Sequence, residues 1–225
     1  MIQLTTLTTR LLRAPDALVD ERDLERLAPA LLTITALGAG TFGLVVGSYR
    51  GGVQLLYAAV KSPALLLVPV LVALPALHAL TGGSVPWRRL ALGGLVGMAR
   101  AAVLAAAAGP ALWLLYSVSP DYHLSILAMA VTLAACGLPG LAVVARLVPG
   151  KQRIAAFLTT TLVLGLVLAQ TGWLLRPWIA RPTAEVSFLR PIEGDVLSSI
   201  TATQRSARGQ YSGWDARREG AVNQF

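Results

Sequence analysis

Five apolar runs, each near or above the length that crosses a bilayer, leave this chain little choice of fold. They cover residues 27–49, 53–80, 90–118, 122–148 and 154–175. Crossing ~30 Å of hydrocarbon takes about 20 residues of helix, at a rise of about 1.5 Å each. Only 13% of the residues are charged, whereas a soluble domain carries roughly a quarter. Mean hydropathy is +0.65. The expectation is an all-α polytopic membrane protein with about five transmembrane helices plus short interfacial helices. It divides into an N-terminal segment (1–26), a membrane domain (27–176) and an extramembrane C-terminal tail (177–225).

The net charge of +8 could suggest a nucleic-acid partner, so its location matters more than its size. Residues 27–176 hold nine Lys/Arg and a single acid, Asp121, whereas the two ends are nearly balanced. The excess therefore lies in and beside the membrane, where it marks orientation and lipid contact rather than a nucleic-acid groove. Cys136, the only cysteine, lies inside an apolar run and can form no internal disulfide.

Residues 1–26 do not read as a secretory signal, because Pro15 and the stretch DERDLER interrupt any apolar core. Leu4, Leu7 and Leu11 fall at helical spacing with Arg10 and Arg13 nearby, which allows a short interfacial helix. The plainer expectation is a solvated, charged leader. Asp16 to Arg26 reads as a helix with acids toward its start, where the helix dipole favours them.

Within the first run, Gly43 and Gly47 form a small-xxx-small pair that permits close helix contact. The second and third runs share a plan: about ten moderately apolar residues, one cation, then an uncharged span. Gln54, Tyr57 and Lys61 fall on one polar edge of 53–61, which suits a segment lying along the interface. On this reading the second span begins after Lys61 and the third after Arg100, whose long stems reach the headgroups. The competing reading buries both cations, where an ionisable side chain marks function. Gly109-Pro110 in the third run and Gly137-Leu138-Pro139-Gly140 in the fourth are expected helix breakers, with Pro110, Gly137, Pro139 and Gly140 as the residues that would break them. Gln170 is the only amide inside a span core and is expected to hydrogen-bond a neighbouring helix.

With five spans the termini lie on opposite sides. Short loops on the N-terminal side receive Arg88, Arg89, Arg100, Arg146, Lys151 and Arg153, against Arg50 and Lys61 on the other. The cation bias places the N-terminus in the cytoplasm of a bacterial-type inner membrane and the tail outside.

The last run closes with QTGWLLRPWIARPTAEVSFLRP, residues 170–191. It carries Trp173 and Trp178 around Arg176, and repeats Arg-Pro at Arg176-Pro177, Arg181-Pro182 and Arg190-Pro191. Tryptophan suits the headgroup level, arginine binds phosphate and proline ends the helix. Arg176, Trp178, Arg181 and Arg190 are therefore the expected contacts for lipid phosphate or an acidic partner. Beyond Pro191 the chain is polar and rich in Gly, Ser and Arg, with a short helix expected at 195–200.

A catalytic constellation is missing from the pattern. The two histidines, His78 and His123, have no paired ligand spacing and lie near span ends. No serine has a nucleophile-elbow context. Acids are absent from the spans, so a proton relay has no members. Neither an enzymatic role nor a cofactor or metal is expected.

The segment GSYRGGVQLLYAAVKSPALLL, the five spans and the closing QTGWLLRPWIARP with FLRP resemble bacterial members of the Yip (Ypt-interacting protein) superfamily over residues 47–191. The resemblance implies a non-enzymatic membrane protein that acts through partners or lipids, and it supplies no catalytic residues. The resulting expectation is a structural or accessory subunit of a larger membrane assembly, docking on other membrane-protein subunits through its tail. The rival is a small transporter or channel built around broken spans three and four.

Overall fold

The computed structural model of the chain describes residues 4–19, 24–80, 82–118, 122–148, 153–179 and 187–189. Seven helices occupy them: α1 (Leu4–Arg13), α2 (Pro15–Val19), α3 (Leu24–Ser48), α4 (Val53–Leu80), α5 (Trp87–Val118), α6 (Tyr122–Arg146) and α7 (Arg153–Leu174). No strand occurs among the described residues. Five helices, α3 to α7, are long and apolar enough to span a membrane. The chain is an all-α, multi-pass membrane protein, as its apolar runs require.

The bundle is organised on α5, which packs closely against α3 and α6, while α4 lies against α3 and α7 against α4 and α6. Of the most apolar stretch of α5, 61% is buried, against 11% for α6 and 17% for α7. Small residues set the close approaches. A Cβ on Gly43 would collide with the Ala58 carbonyl and the Ser62 hydroxyl, and one on Gly47 would come 2.6 Å from the Gln54 carbonyl. The pair expected to bring helices together does so between α3 and α4.

The leader is not solvated. Leu7 and Leu11 are 2% and 0% exposed, packed with Leu18, Leu27, Leu31, Leu92 and Val96 in one core. Spacing of four puts both leucines on one helix face, and that face meets α5 instead of headgroups. Arg10 and Arg13 stay exposed on the other side. Of the helix expected over 16–26, the described parts are α2 up to Val19 and α3 from Leu24; residues 20–23 lie outside the described residues.

Two surface ion pairs show which ends gather together. Arg88 Nη2 lies 2.6 Å from Glu25 Oε1, and Arg146 Nη1 lies 3.1 Å from Asp16 Oδ2. The N-terminal helices, the start of α5 and the end of α6 therefore share one end of the bundle. At the opposite end Tyr49 meets Tyr116 edge to face, with ring centroids 5.5 Å apart.

The expected helix breaks do not occur. α5 runs unbroken through Gly109 and Pro110, and α6 through Gly137, Pro139 and Gly140. A proline removes one backbone donor and one hydrogen bond, which packed membrane helices accommodate without losing their course. Gly140 instead serves packing, because a Cβ there would strike the Gly97 carbonyl of α5.

Candidate functional site

The site grows from the end of α7. A helix leaves its last four carbonyls without intrahelical donors. Here the Leu175 amide returns to the Thr171 carbonyl at 3.0 Å and the Arg176 amide to Trp173 at 3.3 Å, closing a final tightened turn. The Trp178 indole Nε1 donates to the Gly172 carbonyl at 2.9 Å, so a side chain from beyond the helix caps it. The Arg176 guanidinium stacks on Trp173, its carbon 3.4 Å from the ring centroid, a favourable cation–π geometry.

Past that turn the chain lies back across α4. Gln54 and Lys61 are seven residues apart, two helical turns, and so share a face. Gln54 Nε2 donates to the Trp178 carbonyl at 2.6 Å and to the Pro177 carbonyl at 3.3 Å. Lys61 Nζ donates to the same Pro177 carbonyl at 3.2 Å. Both side chains are sealed, at 0% and 1% exposure. Between them Tyr57 meets the edge of Phe188, centroids 5.1 Å apart, and the Lys61 amine lies 4.8 Å from the Phe188 centroid and 6.0 Å from that of Tyr57. Next to the clamp, Ile179 enters the core formed by Phe42, Val46 and Ala58.

The polar edge expected on 53–61 is present, and the exit segment covers it. α4 is one continuous helix from Val53, about 42 Å long at the usual rise, with no break at Lys61. The exit segment has carbonyls without donors, the α4 edge has donors without acceptors, and folding brings them together. Headgroups were expected to satisfy the lysine; a backbone carbonyl and two aromatic rings do so instead.

Arg100 differs from Lys61. It sits inside α5, which begins at Trp87, and its Nη2 donates to the Leu12 carbonyl of α1 at 3.4 Å. Its Nε is buried with no hydrogen-bond partner among the described residues. Gln170 faces outward on α7 in the ridge that exposes Leu158, Leu162 and Leu166, so the hydrogen bond expected to a neighbouring helix is not made within the described chain. His78 lies in the last turn of α4 and meets Trp87 edge to face at 5.8 Å. Arg181, Arg190 and the tail from 191, including the short helix expected at 195–200, lie outside the described residues, as does the His123 side chain.

The clamp therefore unites Gln54, Lys61 and Trp178, with Arg176 stacked beside it, and leaves Arg100 and Gln170 elsewhere. Phe188 had no signal of its own. Its clue was an α4 edge whose cation had no acid in any nearby loop. Chemically the clamp offers donors, rings and one amine, and no nucleophile–base pair. Among the described residues no three of His, Cys, Asp and Glu approach one another closely enough to hold a metal.

Fold and site together define a multi-pass helical membrane protein whose last span is fastened back onto its second. No protein family, curated protein or solved structure matches the chain.

Proposed function

We propose that this protein is a non-enzymatic structural or accessory subunit of a larger membrane assembly, with residues 177–225 as its docking arm. The observation that carries the reading is the double anchorage of the arm's base, where Gln54 and Lys61 hold the Pro177 and Trp178 carbonyls. An arm that recruits a partner benefits from a fixed point of departure, because less freedom is lost on binding. The Arg-Pro pairs of the sequence supply planar donors for acidic groups. The reading places the protein in a bacterial inner membrane with the N-terminus cytoplasmic, following the cation bias of the short loops. The Yip-like segments fit the same partner-mediated role.

Truncation after Pro191 keeps the anchored base and removes most of the arm. The expected outcome in mild detergent is a membrane domain that purifies as before, without the proteins that accompany the full chain. Retention of the whole complex would refute the docking arm. The rival, a small transporter or channel around spans three and four, would have to work through continuous helices. Solute flux into proteoliposomes containing the unmodified protein alone is the result that would favour it.

A further inference from the structure

Arg100 stands at mid-height of the bundle. Along α5 it lies about 18 Å past Arg88 and about 27 Å before Val118 at the usual rise. Two backbone contacts carry that height to the neighbouring helices. A Cβ on Gly38 would come 2.8 Å from the Ala102 carbonyl, so Arg100 is level with Ala36, the middle of α3. A Cβ on Gly97 would come 2.6 Å from the Gly140 carbonyl, which sets Arg100 about 14 Å short of the end of the antiparallel α6 at Arg146. With ~30 Å of hydrocarbon, mid-height is about 15 Å from either headgroup layer, too far for an arginine stem to bridge.

The guanidinium is poorly satisfied at that depth. Val96 and Val103, on the same face of α5, pack into the core that holds α1, so Arg100 lies beside the end of α1. Its Nη2 donates to the Leu12 carbonyl at 3.4 Å, and its Nε is buried with no hydrogen-bond partner among the described residues. The Leu12 carbonyl belongs to the peptide that leads to Arg13, so a second guanidinium, itself exposed, departs from the same point. Neither arginine has an acidic partner among the described residues, and Asp16, one turn past Arg13, is paired with Arg146. Charged side chains that persist at membrane depth pair with opposite charges or backbone carbonyls. One long contact to one carbonyl leaves most of the donors unmet, and hydrocarbon tails cannot meet them.

We propose that this flank of α1 and α5 docks a membrane-spanning helix of a different subunit, one that carries an Asp or Glu in the middle of its apolar stretch, with the carboxylate pairing to Arg100 and Arg13. Charge and depth select the occupant. Guanidinium forks match a carboxylate in two parallel hydrogen bonds. A phospholipid phosphate offers the same chemistry but lies about 15 Å away. A second copy of this chain cannot supply the acid, because residues 27–120 and 122–184 contain none. The inference rests on the accessory-subunit reading but not on the tail, and adds a contact inside the membrane.

The test reconstitutes the full chain in phosphatidylcholine liposomes at mildly alkaline pH, where a glutamate ionises. The probe is a synthetic leucine–alanine helix of about 20 residues with one central Glu or, as the control, one central Gln. Association is followed by energy transfer between dyes on chain and helix. The Glu helix is expected to bind about tenfold tighter than the Gln helix, the gain from one charge-assisted hydrogen bond. Arg100→Gln should erase that preference, and Arg100→Lys, which keeps the charge, should retain part of it. Arg13→Gln alters only an exposed side chain and should reduce the preference, which keeps the proposal testable if Arg100→Gln loosens α1. Truncation after Pro191 should change nothing, which separates this contact from the docking arm. Equal binding of the two helices, or a preference that survives Arg100→Gln, overturns the proposal. So does an equal preference with the Glu moved to the helix end, which would put Arg100 at headgroup level. A preference abolished by replacing phosphatidylcholine with phosphatidylglycerol overturns it too, and gives the site to a lipid phosphate.

Discussion

Lys61 shows how one side chain can change meaning between sequence and structure. A lysine inside an apolar run is costly in hydrocarbon, and its long stem offers an easy escape to the headgroups. Here it does not escape. Its amine, 1% exposed, ends on the Pro177 carbonyl and over the Phe188 ring. Gln54 donates to the same carbonyl, so the two side chains act on one acceptor. Lys61→Met keeps most of the stem and removes the amine; Gln54→Leu removes the amide. Each is expected to destabilise the clamp by about 1–3 kcal/mol, the cost of a lost buried partner. Because they share Pro177, the double variant should fall short of the sum, as interacting sites do. The check is a double-mutant cycle on denaturant unfolding in detergent, with proteolysis of the 176–190 segment as a local readout. Strict additivity would mean that the shared carbonyl couples nothing.

Helix α1 is the element whose role depends most on tertiary structure. Its ion-paired neighbours Asp16 and Glu25 are largely exposed, at 57% and 87% for their side chains. Exposed pairs of this kind contribute about 0–1 kcal/mol each. Leu7 and Leu11, fully enclosed against α5 and α3, hold the helix in place by burial, at about 1.5–3 kcal/mol for each leucine. Leu11→Asn is therefore expected to free α1, exposing Arg10 and Arg13 to trypsin while the five spans persist. Glu25→Gln should leave cleavage almost unchanged, and raised salt should act like Glu25→Gln. Limited proteolysis of the two variants in detergent, followed by mass spectrometry, measures the difference. Equal protection in both would place the hold on α1 elsewhere.

At the scale of the whole molecule, alternation of five spans sorts the chain ends. Arg88 and Arg146 pair with the N-terminal helices, and Trp178 returns to the start of α4 at the far end. In the proposed orientation the first of these ends faces the cytoplasm. A fluorescent protein fused ahead of residue 1 should then fluoresce in cells, and alkaline phosphatase fused after residue 225 should be active. Inactive phosphatase with a fluorescent C-terminal fusion would reverse the orientation and leave the bundle itself intact.

How much of this was legible before folding differs by kind of feature. The number of spans, their near boundaries and the α3–α4 glycine pair follow from apolar length and residue size, which are local properties. The polar edge Gln54, Tyr57 and Lys61 was equally visible, because helical spacing alone puts three residues on one face. What covers that edge was not visible: Pro177, Trp178 and Phe188 lie more than a hundred residues further on, and no local rule says where an exit segment will turn. The same holds for Gly137-Leu138-Pro139-Gly140. Sequence marks it as a weak point in a helix, yet the helix continues, with Gly140 seated on Gly97 and Gly137 left open to a cleft. Sequence by itself determined that this chain must fill a membrane with helices, since their backbones satisfy themselves and their side chains do not seek water. Only the tertiary structure decided which donors meet which orphan carbonyls, because that pairing depends on where distant helices end relative to one another.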